Sequence, residues 1–197
     1  NDGEIHVKSY DDPINGSDGS GGENNQCVAV YVKGGYVYLD CTNADGFDSN
    51  GAVYLSGGTV VVNGPVSGGN GILDYGTFKT TGGTLIGAGT SDMAQAPGSS
   101  SSSQNALLLI FSQKSAGTLF HIETDSGTDV VTFTPAKAYA SVVFTSPLLT
   151  TGTKINVFLG GTYTGGSEKD GIYTGGTYSG GEQVISFTIS YLSTVIY

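Results

Sequence analysis

Val30-Tyr-Val-Lys-Gly-Gly-Tyr-Val-Tyr-Leu39, Val53-Tyr-Leu-Ser-Gly-Gly-Thr-Val-Val-Val62 and Phe78-Lys-Thr-Thr-Gly-Gly-Thr-Leu-Ile-Gly87 align with one another on their Gly-Gly pairs. The pairs begin at residues 34, 57 and 82, a repeat of 23 and then 25 residues with no helical periodicity inside it. That period is expected for units that stack as the coils of a β-solenoid, each unit a strand, a bend, a second strand and a polar loop. Apolar residues alternate in the first two units (Val30, Val32, Val37, Leu39; Val53, Leu55, Val60, Val62). This alternation turns one edge of each strand toward a shared interior. Glycine at the bend permits φ > 0 and close approach of one unit to the next. Separate antiparallel hairpins are the competing reading of the same pairs, but regular recurrence with long polar loops favours stacked coils.

The chain has 197 residues, enough for one large domain or two small ones. Its formal charge is −10, from 17 acids against 7 lysines with no arginine, a balance that repels nucleic acid and anionic membranes. Thirty-three glycines and 12 tyrosines, abundant Ser and Thr, and no Trp suit an extracellular all-β protein, secreted or at a cell surface. Disorder is the other reading of so much Gly and Ser, and the regular apolar runs oppose it. No stretch is long and apolar enough to span a bilayer, so membrane insertion is not expected. No signal peptide is visible, and Asn1-Asp2-Gly3 reads as a mature or trimmed end. Alternation points Cys41 inward with Val37 and Leu39 and Cys27 away from Val28, Val30 and Val32. A disulfide needs converging Cβ vectors, so no Cys27–Cys41 bond is expected within a chain.

The coils fill residues 1–98, beginning with a partial unit, Ile5–Asn15, and a polar loop, Gly16–Gln26. A boundary falls at Pro97-Gly98 and the serine run Ser99–Gln104. Residues 99–197 then read as a capping module, an antiparallel β-sandwich-like set of short strands. Those strands are Ala106–Ser112, Gly117–Thr124, Asp129–Thr134, Ala140–Thr145, Lys154–Leu159 and Gln183–Tyr191. Gly160-Gly-Thr-Tyr-Thr-Gly-Gly166 returns as Gly175-Gly-Thr-Tyr-Ser-Gly-Gly181, either a tyrosine-bearing surface or two similar hairpin turns. Ser91–Ala96 is the one short helix candidate.

Three loops share one design: Asp11-Asp12-Pro13-Ile14-Asn15, Asp45-Gly46-Phe47-Asp48-Ser49-Asn50 and Asn70-Gly71-Ile72-Leu73-Asp74. In each, an apolar residue (Ile14, Phe47, Ile72) stands between acids or amides, so it would plug the core while its neighbours project outward. Equivalent positions then lie about 4.8 Å apart. Two carboxylates at that spacing repel by roughly 3.5 kcal/mol at an effective dielectric of 20. With no arginine to neutralise them, either one acid keeps its proton or a cation sits between them. Asp, Asn and backbone carbonyls suit Ca²⁺, which takes six to eight oxygens; Mg²⁺ keeps its own waters, and Zn²⁺ wants the His or Cys these loops lack. The plainer reading is that Asp, Asn and Gly are common in turns.

Tyr10-Asp-Asp-Pro-Ile-Asn15, Asp45-Gly-Phe-Asp-Ser-Asn-Gly51, Gly57-Gly-Thr-Val-Val-Val-Asn-Gly-Pro65 and Gly69-Asn-Gly-Ile-Leu-Asp-Tyr75 together resemble a secreted bacterial carbohydrate-binding β-helix family similar in fold to pectate lyases. Met93-Ala-Gln-Ala-Pro97, Phe133-Thr-Pro-Ala-Lys-Ala-Tyr139 and Asp170-Gly-Ile-Tyr-Thr-Gly-Gly176 resemble its C-terminal part. The resemblance implies a right-handed parallel β-helix, bound calcium, and binding of cellulose-like or acidic polysaccharides without catalysis. Carried over by position, it places the calcium ligands among Asp11, Asp12, Asn15, Asp45, Asp48, Asn50, Asn70 and Asp74. Members of that family have more coils before the first motif; only Ile5–Tyr10 precede it here.

Catalysis is not expected. Calcium-assisted β-elimination needs a base, usually arginine, and this chain offers only Lys8 and Lys33 as formal substitutes. Paired ladder acids could meet glycosidase spacing, but an acid chelating a metal cannot also donate a proton. His6 and His121 lie far apart in sequence and read as structural. Tyr31, Tyr36, Tyr38 and Tyr54 alternate outward on the coil strands and are the candidate carbohydrate platform. The other class is structural: an open edge at Ile5–Val7 and an uncharged apolar tail from Val184 to Tyr197 suit a calcium-stabilised homopolymer assembled head to tail.

Overall fold

A computed structural model describes residues 2–98 and 100–197. Asn1, from the opening Asn1-Asp2-Gly3, and Ser99, first of the serine run, lie outside the described residues. The chain is all-β. Strands β1 (Glu4–Ser9), β3 (Ala29–Cys41), β4 (Asp48–Asn63) and β5 (Asp74–Gly89) form a parallel ladder, with the two-residue β2 (Asn15–Gly16) also on β4. Val30, Val53 and Phe78 are register partners, as are Val37, Val60 and Leu85, so the three aligned segments stack residue on residue. The register shifts where each strand bends at its Gly-Gly pair, and once more between Ser49 and Ala52 of β4.

The bends show why glycine is required. Gly35, Gly58 and Gly83 have φ of 78°, 83° and 77°, a region that side chains disfavour. A Cβ on Gly58 would lie 2.7 Å from the Gly34 carbonyl carbon, and one on Gly83 would lie 2.8 Å from that of Gly57. Backbone therefore rests on backbone from rung to rung, with no room for a side chain between.

Before the bend the strands are buried on one face. Val32, Val53, Leu55 and Phe78 point to an inner core with Phe47 and Ile72, while Tyr31 points to solvent. After the bend both faces are covered. Val37, Val60 and Leu85 enter the inner core, and Tyr38, Val61 and Ile86, also register partners, enter a second one. The uninterrupted Val60-Val61-Val62 is the sequence mark of this two-sided burial.

The second core lies between the first sheet and a six-stranded antiparallel sheet. The first sheet continues from β5 onto β9 (Tyr139–Thr145), β6 (Ala106–Lys114) and β14 (Ser193–Ile196). Strands from before and after residues 98/99 thus pair within this sheet. The second sheet has the order β11 (Thr162–Lys169), β12 (Ile172–Ser179), β8 (Asp129–Phe133), β7 (Phe120–Thr124), β10 (Lys154–Leu159), β13 (Glu182–Thr188). Phe120, Ile122, Phe133, Ile155 and Val157 from this sheet meet Tyr38, Val61, Ile86 and Phe144 of the first.

Three expectations need correction. Ser91–Ala96 is turn and coil: Thr90 Oγ1 accepts from the Asp92 backbone N–H, which favours a local turn, and Asp92 Oδ2 accepts from the backbone N–H of Gly69. The two Gly-Gly-Thr-Tyr segments are strand, and they pair with each other as β11 and β12, Tyr163 opposite Tyr178 and Gly165 opposite Gly176. The last long strand ends at Thr188, and the chain re-enters the first sheet as β14. Cys27 is exposed and Cys41 buried; both are free, and Cys41 Sγ donates to the Ala44 carbonyl at 3.1 Å.

Gly127 shares the backbone conformation of Gly58 (φ 79°), but open space surrounds it. Gly127→Ala is expected to cost about 1 kcal/mol through backbone strain alone. Gly58→Ala is expected to cost a further ~1–3 kcal/mol by overpacking. Urea unfolding of the two variants measures the difference, and equal losses would contradict backbone-on-backbone stacking.

Candidate functional site

Stacking sorts the eight expected ligand residues into those that meet and those that do not. Asn15 is the register partner of Asp48, and Asp48 of Asp74, which gives one column, Asn15–Asp48–Asp74. Gln95 Nε2 closes it by donating to Asp74 Oδ1 at 2.9 Å. The loop backbones hold the column in place: Asp48 N donates to the Ile14 carbonyl (2.9 Å) and Asp74 N to the Phe47 carbonyl (3.0 Å). Phe47 and Ile72 are buried in the inner core beside it.

Asp12 and Asp45 flank the column and act mainly as loop fasteners. Asp12 Oδ1 accepts from the Asp45 backbone N–H at 2.9 Å, and Asp45 Oδ1 accepts from that of Gly71 at 2.6 Å. Each carboxylate thus satisfies a donor of the next rung. Asp12 Oδ2 also accepts from Asn15 Nδ2 at 2.8 Å. The remaining three residues point elsewhere. Asp11 is exposed and its backbone N–H bonds Ser9 Oγ; Asn50 Nδ2 donates to Glu23 Oε1; Asn70 Nδ2 donates to the Asn43 carbonyl.

Asp48 is the exceptional member. It is 7% exposed, and no described residue donates a hydrogen bond to its carboxylate. Burial, then the charges of Asp12, Asp74, Asp45 and Glu23, push it up to about 7. Burial raises Asp45 as well, against the opposing bond from the Gly71 N–H. At neutral pH Asp48 is therefore poised between holding a proton and accepting a cation. Glu23 belongs to this field too. Nothing in its local sequence marks it, since the polar Gly16–Gln26 loop folds back to place it.

The four tyrosines split in the same way. Tyr38 is buried in the second core, its hydroxyl accepting from Asn63 Nδ2 at 3.3 Å. Tyr36 has a buried hydroxyl, and Lys169 Nζ lies 3.9 Å from its ring centroid. Neither is open to a large ligand, because the second sheet covers the face that alternation assigns to solvent. Tyr31 is 58% exposed and stacks on half-buried Tyr54, with ring centroids 4.8 Å apart and planes 9° from parallel. Around them Asn24, Asn25, Gln26, Ala52 and Thr77 line a hollow of about 250 Å³. Lys33 Nζ approaches the Tyr31 ring at 5.2 Å, and Lys79 is the next register partner of Tyr54.

The remaining titratable candidates are engaged elsewhere. Lys8 lies 3.8 Å from Asp40 Oδ2. His121 is buried and stacked on Tyr178 at 3.9 Å, with Nδ1 2.8 Å from Thr132 Oγ1; its desolvation lowers its pKa. His6 stacks on Tyr38 at 5.2 Å.

Comparison with known proteins returns no match: no protein-family profile, curated protein or solved structure is significantly similar to the chain.

The Asp48 environment sets a pH dependence. Its folded value lies above the ordinary ~3.9 of an unfolded Asp. The folded chain therefore binds more protons across that interval, and this contribution to stability falls as pH rises from ~4 to ~7. With a chelator present, Asp48→Asn is expected to flatten the slope and to stabilise the protein at pH 8 by roughly 1–3 kcal/mol. Thermal unfolding from pH 4 to 8 measures it; an unchanged slope would place Asp48 in a solvated environment.

Proposed function

We propose that this chain is a non-catalytic, calcium-binding polysaccharide-binding protein acting outside the cell, its bent strands forming the coils of a short right-handed parallel β-helix. The observation that carries the reading is the exposed Tyr31–Tyr54 stack beside an amide-lined hollow. Sugar rings present C–H faces to aromatic side chains and hydroxyls to amide groups, and Asn24, Asn25 and Gln26 supply both donors and acceptors beside the tyrosines. Lys33 and Lys79 give this flank local positive charge in a chain of net −10, which favours an acidic glycan over a neutral one.

The donor set Asn15, Asp48, Asp74 fits calcium: all oxygen ligands, one of them a buried carboxylate without a hydrogen-bond donor. Asp12 and Asp45 border it, each with an oxygen already committed to backbone. Bound calcium would neutralise the column and so hold its rungs at their close spacing. The Gly16–Gln26 loop links the two regions, since Glu23 faces Asp48 while the next three residues line the hollow. The non-catalytic reading is supported by the engagement of Lys8, His6 and His121 in ion pairs and ring contacts elsewhere and by the absence of Asp48 from the lining of the hollow.

Pull-down on an insoluble acidic β-linked polysaccharide tests the proposal. Binding is expected with calcium and should fall on chelation, on Tyr54→Ala and on Asp48→Ala. Asp125→Ala, at a surface ion pair with Lys154 (2.7 Å), is expected to leave it unchanged. No retention on any acidic or cellulose-like glycan would reject the sugar reading, and release of unsaturated uronide would reject the non-enzyme reading.

One observation favours a second reading, a head-to-tail filament. β1 and β14 are the two outer strands of the first sheet, each with an unpaired side. Beside β1 an apolar hollow lined by Ile5, Ile14, Val30, Val32 and Val37 opens at the end of the inner core. In that reading the protein sediments as polymers with calcium and Ile5→Lys abolishes them, because an edge lysine opposes strand addition. A monomer at high concentration rejects it.

A further inference from the structure

The first strand carries a cluster that the polysaccharide reading does not use. Glu4 and His6 lie two residues apart on β1 and so project from the same side of the strand. Opposite them is Asp170, in the turn that joins β11 to β12. One ligand atom from each of the three lies within 4.8 Å of the others. His6 Nε2 is 2.6 Å from Glu4 Oε1 and 3.7 Å from Asp170 Oδ2. These residues are 166 positions apart at the extremes (170 − 4), so only the packing of the second sheet on the first brings them together.

The local structure holds the three groups in place. Asp170 adopts φ 50°, a left-handed conformation that Asp tolerates better than most residues and that lets the hairpin turn sharply. The His6 ring is fixed against Tyr38 and Tyr36, with centroids at 5.2 and 6.0 Å. Lys169 Nζ bonds Glu4 Oε2 at 2.8 Å, which anchors that carboxylate through one oxygen and leaves Oε1 toward His6. With Lys169 and His6 beside it, the Glu4 carboxyl is held below its ordinary range and is ionised at neutral pH.

A second, independent feature points to a missing partner. Asp170 Oδ2 is buried without a well-aligned hydrogen bond, and it lies 3.7 Å from His6 Nε2. An unsatisfied buried carboxylate oxygen is costly unless something completes it. The Tyr36 hydroxyl, buried in the same pocket, is the neighbouring protein donor, and burial followed by its interaction with Asp170 raises its pKa.

We propose that Glu4, His6 and Asp170 form a binding site for a borderline divalent transition metal of the Zn²⁺ type, which fastens the first strand to the β11–β12 hairpin. One imidazole nitrogen and two carboxylate oxygens are a zinc-type donor set, whereas calcium takes oxygen alone. With metal–ligand bonds near 2.0–2.2 Å, tetrahedral ligands stand about 3.3 Å from one another. The His6–Asp170 separation of 3.7 Å is close to that value; the His6–Glu4 separation of 2.6 Å is a hydrogen bond that must open when Nε2 turns its lone pair to the metal. A water would take the fourth position on the exposed side. The site is distinct from the Asp48 column and does not depend on it.

The chain has two histidines, His6 and His121, so imidazole NMR reads the site directly in the wild-type protein. The experiment is a Zn²⁺ titration with calcium in excess, repeated in a Cys27→Ser background because that exposed thiol could itself take up zinc. The expected result is one zinc per chain at micromolar concentration, a shift of the His6 signals with His121 unmoved, and a higher unfolding temperature. His6→Gln should abolish binding, Asp170→Asn should weaken it, and Asp48→Asn should leave it intact. No zinc uptake, uptake that moves His121 instead of His6, or uptake that disappears with Cys27→Ser would each overturn the proposal. Should His6→Gln fail to fold, the wild-type imidazole shifts still decide.

Discussion

The structure depends on the contact between backbones at successive glycine bends. At Gly35, Gly58 and Gly83 the chain turns with positive φ while resting against the rung before it, and a single methyl group would collide with that rung. The contact fixes spacing and register together. Register then decides everything chemical on this half of the molecule, because a parallel in-register stack places equivalent positions of each unit in one column. Tyrosine falls on tyrosine at 31 and 54, and aspartate on aspartate at 48 and 74. The first pairing is favourable. The second is a repulsion, which adds to burial in raising the Asp48 pKa.

Much of this was legible in the repeat. The Gly-Gly alignment gives the register of β3, β4 and β5, and the apolar plugs Phe47 and Ile72 lie in the core as their spacing implies. What escaped depends on contacts between distant segments. Alternation assigns Tyr36 and Tyr38 to solvent, yet strands from residues 120 to 187 cover them. The clue was present in Val60-Val61-Val62 and Leu85-Ile86, where apolar residues fill both faces. The antiparallel continuation of the first sheet through β9 and β6 leaves no local trace, because β9 joins β5 across about fifty intervening residues. The Gly-Gly-Thr-Tyr repeat was visible, but self-pairing of two glycine-rich strands contradicts their weak strand propensity.

The candidate site was legible to the level of residue type and not of role. Asp12, Asp45, Asp48 and Asp74 come together as the loop pattern suggests. Which oxygens remain available depends on hydrogen bonds in irregular loops, where no period guides the reading. Asp12 and Asp45 spend an oxygen on the backbone of the next rung, so they order the loops. Asp48 alone is left without a donor. The Glu4–His6–Asp170 cluster is harder still to see, because its members belong to opposite ends of the chain.

The resulting molecule has one covered flank and one open flank. The second sheet closes the strands after the bend, whereas the strands before it present Tyr31, Tyr54 and the Asn24–Gln26 loop to solvent. On the proposed reading this open flank is the functional surface. Amide chemical-shift mapping during titration with a soluble acidic β-linked oligosaccharide, with calcium present, tests it most directly. Perturbations are expected to be confined to residues 24–32, 52–55 and 77–79. Perturbations centred on the second sheet, or none at saturating oligosaccharide, would contradict it.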